Sequence, residues 1–571
     1  MKKEYKFKPL ICIFYVIMLM IPECMVLNYT RWWNPVVSLP CCAVAYGVLA
    51  WSVCSLAVLC GRKTADIIHT ILHLAIAAYV VSDVFLILKF GRHWDVYTLQ
   101  FLRETNAKEA SEFISSFVFT PLTLFLLLSC ITFFSFEIWL VRKSKSISLL
   151  PQKGWQKAIL STVVIGVYAH LIYFSPDYKR NYEMMMRFPS PLKRCDIWEN
   201  YQSLLLFKEF EAQYDRCAKQ QETYGEVPKC DEPDADFVLV IGESFNRHMS
   251  NLYGGKYNTN PLLKKRQKQK DLFLFNDVIA SSNGTSQNFK YFFSMNSVEN
   301  GGEWCDAPML PTIVRRAGYN VIWYSNQFAL NQDLGEFNGT LGFLNHPLIT
   351  RCMFNYRNQT TFPYDMQLIT DYASNRKKLE RKIKNFVIIH LYGQHVSAEQ
   401  RYPQGFGSFT ADNIGRKDLD EEKRTEIAHY LNATEYNDLV VDSIISMFED
   451  RNAIVLYFSD HGDEIYNFRN QLGRTDLSKE TDHRALQAQL DIPFMIYITQ
   501  TYKRLHPKMP TLLHNAANRP FMTDDLPHVI CTILGIHSKW YKPQRSLICP
   551  LFKPRKHRIL QKESNKAVHY D

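Results

Sequence analysis

The sequence predicts a chain in two parts: an all-α membrane region of five helices, then an α/β domain on a mainly parallel central sheet. Two observations carry this prediction. At 571 residues the chain exceeds the usual size of one domain, and its apolar residues crowd into the first third although mean hydropathy is slightly negative, −0.19. Beyond residue 235, short apolar runs alternate with helical segments, and each run ends in polar residues.

Five apolar stretches, 10–27, 36–59, 67–88, 117–140 and 158–174, approach the length needed to cross a bilayer. A spanning helix takes about 20 such residues, because lipid leaves no partner for an unpaired backbone group. A cleaved signal peptide would account for the first stretch and not for the next four. Lys2, Lys3, Lys6 and Lys8 precede the first span; Arg62 and Lys63 follow the second; Arg142, Lys143, Lys145, Lys153 and Lys157 follow the fourth. Basic residues stay on the cytoplasmic side, so an odd number of spans exports everything after residue 174. The expected division is an anchor at 1–175, a membrane-to-domain bridge at 176–234 and an exported catalytic domain at 235–571.

Of the 14 cysteines, seven lie in the exported part: Cys195, Cys217, Cys230, Cys305, Cys352, Cys531 and Cys549. An oxidising compartment allows up to three disulfides there, with pairing not fixed by the sequence. The formal charge of +10 is partly topological. The basic run Lys264 to Lys270 reads as a solvated face or as a surface for anionic lipid; nucleic acid is not an expected partner. In the spans, His69, His73 and Asp83 are expected to form interhelical hydrogen bonds, while Glu23 and Glu137 near span ends call for no function.

The four apolar runs are Phe237 to Ile241, Asn320 to Tyr324, Phe386 to Ile389 and Ala453 to Phe458. Continuous apolar strands suit a parallel sheet buried on both faces, and ligands gather at the carboxyl ends of such strands. There stand Gly242-Glu243-Ser244, Ser325-Asn326-Gln327, His390 with His395, and Ser459-Asp460-His461. Glu, Asp and His together make a zinc-competent set, although each alone also reads as a capping or turn residue. Asp463 and Glu464 are expected to be solvated acids.

Gly242-Glu243-Ser244-Phe245-Asn246-Arg247-His248, Asn260-Pro261, Phe275-Asn276-Asp277-Val278 running to Thr285, Ser325-Asn326-Gln327, His390 to His395, Arg401-Tyr402-Pro403 and Ser459-Asp460-His461-Gly462 resemble, in order, the landmarks of phosphoethanolamine transferases, in the alkaline phosphatase and sulfatase superfamily. The resemblance implies a sulfatase-like C-terminal domain in the bacterial periplasm, anchored in the inner membrane with its N-terminus cytoplasmic. It implies zinc held by Glu243, Asp460, His461 and Thr285, with Thr285 as nucleophile and a second zinc left open. It places His395 and His483 as proton-handling residues and Asn326, Gln327 and His395 toward the substrate, with His390 left between supporting and structural roles.

Departures narrow the likeness. The lipid A-modifying branch carries its nucleophile in a Cys-Gly-Thr-x-Thr segment, whereas Asn283-Gly284-Thr285-Ser286 has no second threonine and leaves Ser286 as a rival. That branch also has Leu-His-Gly where this chain has Gly473-Arg474, so the arrangement is closer to the type that modifies the lipopolysaccharide core. Cys305-Asp306-Ala307-Pro308 lacks the Cys-x-Pro-x-Arg spacing of a formylglycine site, which disfavours sulfatase chemistry. The implied reaction is phosphoethanolamine transfer from phosphatidylethanolamine, through a phosphorylated Thr285, to lipopolysaccharide, core sugar or lipid A. The rivals are glycerol-phosphate transfer of the lipoteichoic acid synthase type and a non-catalytic membrane receptor with the same fold.

Overall fold

A computed structural model of the chain describes residues 9–26, 35–59, 62–90, 94, 110–111, 113–143, 212–232, 234–327, 342–380, 384–475, 477, 480, 482–560 and 568–571. It divides into two compact units, Met1–Leu102 with Ser111–Glu209, and Arg103–Ala110 with Phe210–Asp571.

In the first unit, α1 (Pro9–Val26), α2 (Pro35–Leu59), α3 (Arg62–Phe90) and α4 (Pro121–Lys143) coincide with four of the five expected spans. The fifth, 158–174, lies outside the described residues, as does most of the expected bridge. By length and composition only Thr64–Lys89 and Pro121–Lys143 among the described residues suffice to cross a membrane, against the five helices expected. The apolar part of α1, Leu10–Met25, is shorter; at 1.5 Å per residue it reaches about 24 Å, less than the hydrocarbon thickness of about 30 Å. The polar residues inside this unit join its helices. Tyr15 OH lies 3.0 Å from His73 Nδ1, and His73 Nε2 lies 2.6 Å from Glu137 Oε2, which ties α1, α3 and α4 together. Tyr46 OH donates to Glu23 at 2.5 Å. The backbone N–H of Trp94 donates to Asp83 at 2.7 Å.

The second unit is built on a seven-stranded sheet. Its strands are β1 (Asp236–Gly242), β2 (Leu272–Leu274), β3 (Asn320–Ser325), β4 (Tyr356–Arg357), β5 (Asn385–His390), β6 (Ala453–Ser459) and β7 (Phe494–Ile498). In spatial order they run β2-β7-β6-β1-β5-β3-β4. The five strands from β6 to β4 are parallel, whereas β7 is antiparallel to both β6 and β2. The sheet is therefore mixed, with a parallel centre. β7 runs antiparallel although residues 460–493, which include the helix ending at Leu490, are long enough for a parallel crossover, so connection length does not set its direction.

Strand β1 shows why the apolar runs are continuous. Phe237, Leu239 and Ile241 enter one core, Val238 and Val240 the other, because successive side chains point to opposite faces. Helix α8 (Glu421–Ser446), capped by the Asp420 carboxylate on Lys423 N–H, covers the second core with Val440, Val441, Ile444 and Ile445. On the first face, α6 (Thr285–Phe293) inserts Phe289, Phe292 and Phe293. Register aligns the strand ends: Gly242 pairs with Ser459, and Ile241 and Ser325 both pair with His390.

Three expectations are corrected. Among the described residues Cys217, Cys230, Cys305, Cys352, Cys531 and Cys549 are thiols and not disulfides, while Cys195 lies outside them. The basic run is not wholly solvated, since Arg266 on α5 (Pro261–Lys268) turns inward to Asp442 of α8 and to Glu449 just beyond its end. Asp463 and Glu464 are buried. Glu464 Oε1 accepts the N–H of Phe468 at 3.2 Å and that of Asn467, folding the chain into a turn, and the Asp463 carbonyl accepts from Asn246 at 2.9 Å.

Candidate metal centre and nucleophile

Glu243 follows β1 and Asp460-His461 follow β6, so the pairing of these neighbouring strands places all three side by side. One ligand atom from each lies within 4.8 Å of the others. Thr285, at the first turn of α6, completes the group. Its Oγ1 lies 3.3 Å from both Glu243 carboxylate oxygens and 3.2 Å from His461 Nε2. All four side chains are buried.

The surrounding backbone is fitted to this cluster. Ser244 takes a left-handed conformation, φ 57°, and its N–H donates to Asp460 Oδ1 at 3.1 Å while its hydroxyl donates to Glu243 at 2.9 Å. A non-glycine residue held there stores strain of a kind that collects at functional sites. Gly393 meets Glu243 from the adjoining strand end: with φ +53°, an added Cβ would lie 2.8 Å from Glu243 N and O.

Two contacts fix the His461 tautomer. Nδ1 lies 2.8 Å from the Gly462 carbonyl, which only an N–H can approach as donor. On the other side, the Arg474 guanidinium donates to Nε2 at 2.7 Å. Nε2 is therefore the unprotonated nitrogen: its lone pair takes the Arg474 N–H here and would bind a metal in that donor's place, with the orienting hydrogen bond on the opposite nitrogen. Asp460 Oδ2 is buried, has no hydrogen-bond donor among the described residues and sits 3.3 Å from His461 Nε2. Burial, and then the charge of Glu243, push Asp460 up to about 7. Two carboxylates, an inward imidazole lone pair and a hydroxyl fit zinc, a divalent ion that would satisfy the orphaned oxygen and relieve the repulsion.

The other expected residues divide. Gln327 Nε2 donates to Glu243 Oε2 at 3.3 Å and to the Leu391 carbonyl at 2.8 Å, so it steadies a member of the trio. Asn326 is engaged elsewhere: its amide donates to Asp365 at 2.9 Å and its oxygen accepts Phe362 N–H at 2.7 Å. Asp365, the first residue of α7 (Asp365–Leu379), in turn accepts the N–H groups of Tyr392 and Gly393, so this network shapes the loop carrying His395. His395 is partly exposed, but its Nδ1 is sealed and has no partner among the described residues. Burial pushes His395 down to about 3, leaving it neutral near pH 7. His390 is fully buried against Phe289 and Trp323, with Nδ1 3.0 Å from Ser325 Oγ. His483 is exposed at the start of α9 (His483–Leu490) and its ring packs on Tyr570, centroids 5.1 Å apart. Ser286 follows Thr285 on α6 and is also buried.

Sequence reading missed one residue at the centre. Arg474, in the sequence only a departure from the lipid A branch, reaches His461 and also donates to the Asn283 carbonyl at 2.8 Å. Its signal was a cation soon after Asp460-His461, at a spacing that a short hairpin returns to the site.

A buried acid-histidine-hydroxyl cluster at the carboxyl end of a mostly parallel sheet defines a sulfatase-type α/β domain. The sulfatase family matches residues 235–536, more than half of the chain, and the chain belongs to that family. It is similar to the phosphoethanolamine transferase EptC of Escherichia coli O18:K1:H7, 25% identical over 482 residues that cover 81% of this chain and 79% of that one. The C-terminal periplasmic domain of EptC from Escherichia coli, solved in complex with Zn, superposes with a TM-score of 0.50 at 25% identity, covering 60% of this chain and 96% of that one. The integral membrane protein lipooligosaccharide phosphoethanolamine transferase A of Neisseria meningitidis shares the fold over 96% of this chain and 99% of its own, with a TM-score of 0.63 and 16% identity.

Proposed function

We propose that this chain is a zinc-dependent phosphoethanolamine transferase of the bacterial inner membrane, with 1–175 as anchor, 176–234 as bridge and 235–571 in the periplasm. Phosphatidylethanolamine is the donor and lipopolysaccharide the acceptor, core sugar favoured over lipid A. The single observation that carries this reading is Thr285 Oγ1 lodged among Glu243, Asp460 and His461. Similarity to phosphoethanolamine transferases, one of them solved with zinc, supports the headgroup and the metal.

Glu243, Asp460, His461 and Thr285 would hold the ion. Zinc, when bound, makes a hydroxyl a usable nucleophile near neutral pH and offsets charge on phosphoryl oxygens. Thr285 Oγ1 gives up its proton and forms the new bond to phosphorus, the bond from phosphorus to the glycerol oxygen of the donor breaks, and that oxygen takes up a proton as diacylglycerol leaves. Thr285 then carries phosphoethanolamine. The acceptor hydroxyl gives up its proton and attacks that phosphorus, the Thr285–phosphorus bond breaks, and Thr285 Oγ1 takes a proton back, which restores the enzyme. His395, on the loop shaped by the Asp365 network, takes the acceptor's proton. The exposed His483 is the second proton-handling residue of this reading.

The test uses the full chain in detergent with zinc, headgroup-labelled phosphatidylethanolamine and lipopolysaccharide. Mass spectrometry should find phosphoethanolamine on the peptide carrying Thr285 and on the acceptor. Glycerol phosphate at Thr285 would instead establish the lipoteichoic acid synthase type, and no adduct or transfer would favour a receptor.

A further inference from the structure

Chain geometry after His461 brings a cation back to the nucleophile. Glu464–Ile465 pairs antiparallel with Leu472–Gly473, and the Glu464 carboxylate accepts the turn N–H groups. Gly473 leaves the hairpin with φ +88°, a conformation natural to glycine. The next residue is Arg474, partly buried, with one nitrogen 2.7 Å from His461 Nε2 and 2.8 Å from the Asn283 carbonyl. His461 Nε2 is also the atom 3.2 Å from Thr285 Oγ1. The distance from the guanidinium to the nucleophile is thus at most the two contacts laid end to end, within reach of oxygens on a phosphorus bonded to Thr285.

We propose that Arg474 binds the non-bridging oxygens of the phosphoryl group during its transfer on and off Thr285. The inference rests on the phosphoryl-transfer reading above and adds a specificity: the donor is selected as a phosphodiester anion. Two carboxylates, Glu243 and Asp460, already match a divalent ion, whereas the phosphodiester brings a further negative charge. An arginine fork answers that charge with two parallel N–H donors, in a site where little water competes. Negative charge on these oxygens grows as the phosphorus becomes five-coordinate, so the contact strengthens at the top of the barrier. The bond to Asn283, two residues before Thr285, gives the same side chain a grip on the nucleophile's loop. Backbone and side chain of the neighbouring Thr475 bond the Gln489 amide, which also accepts from Asn283, so the hairpin's end is fixed against that loop.

The experiment measures inorganic phosphate binding by calorimetry on the zinc-loaded full chain, beside zinc content and kinetics of phosphatidylethanolamine turnover. Arg474→Gln should keep its zinc and weaken phosphate binding about 10- to 100-fold, the loss expected of a charge-assisted bidentate contact. Arg474→Lys, which keeps the charge but not the fork, should fall between, with kcat affected more than KM. Phosphate affinity equal to wild type in either variant would overturn the proposal and leave Arg474 as a latch on Asn283. If phosphate binding depends on Arg474 while the wild type transfers no phosphoethanolamine, the headgroup assignment fails and the phosphoryl clamp stands.

Discussion

Thr285 Oγ1 lies 3.2 Å from His461 Nε2, while the opposite nitrogen of that ring is held 2.8 Å from the Gly462 carbonyl. The imidazole is thereby held with its unprotonated nitrogen on the side of the hydroxyl, and the nucleophile and a metal ligand share one buried point.

The first prediction separates two adjacent hydroxyls. Thr285→Ala should lower phosphoethanolamine transfer by at least about a thousandfold, because the covalent step loses its atom. Ser286→Ala should retain most of the rate. Turnover of labelled phosphatidylethanolamine checks both, and the reverse pattern would move the nucleophile to Ser286.

Metal removal comes second. Chelation should abolish transfer and lower the melting temperature, with zinc restoring both. Zinc at a hundredfold over its Kd stabilises the fold by about 2.7 kcal/mol, since it binds the native site and not the unfolded chain. His461→Ala should lose zinc in elemental analysis; unchanged zinc content would show that the ion sits elsewhere.

Third, Gly393→Ala should damage the site without touching a ligand. A Cβ at φ +53° would stand 2.8 Å from Glu243 N and O, so Glu243 must shift. The backbone conformation alone costs about 1 kcal/mol, and the collision adds to it. Reduced zinc affinity with a folded circular dichroism spectrum is the expected outcome.

The fourth prediction concerns pH. Burial pushes His528 down from 6.5 to about 3, so it is neutral in the native state and protonated on unfolding below 6.5. The unfolded chain then binds more protons, and stability must fall with pH between 6.5 and 3. Its contribution is complete above 6.5 and is lost at up to about 1.4 kcal/mol per pH unit below it. Denaturant titrations of wild type and His528→Gln at pH 7 and pH 5 should show a shallower dependence in the variant.

Strand cores and their polar ends were legible in the sequence. The run before Gly242 reads as a strand buried on both faces, since it offers no polar side, and Phe237 and Val238 do enter opposite cores. Glu243, Asp460 and His461 stood out as donors just beyond such strands. Asn326 is equally visible just beyond a strand, but its partner Asp365 opens a helix elsewhere in the chain, and nothing local tells that its amide would face that carboxylate. Asp463 and Glu464 looked solvated because two adjacent acids usually are; the hairpin folding over them was not written in their spacing.

Local sequence alone determined where apolar strands stop and which residues able to bind metal follow them, because burial on both faces leaves a continuous apolar pattern. It also marked the apolar stretches of the N-terminal region. Tertiary structure decided the antiparallel course of β7, the orientation of the His461 ring and the arrival of Arg474 beside Thr285. Those depend on pairing between segments far apart in the chain, and the energy of a hydrogen bond or ion pair belongs to both partners at once.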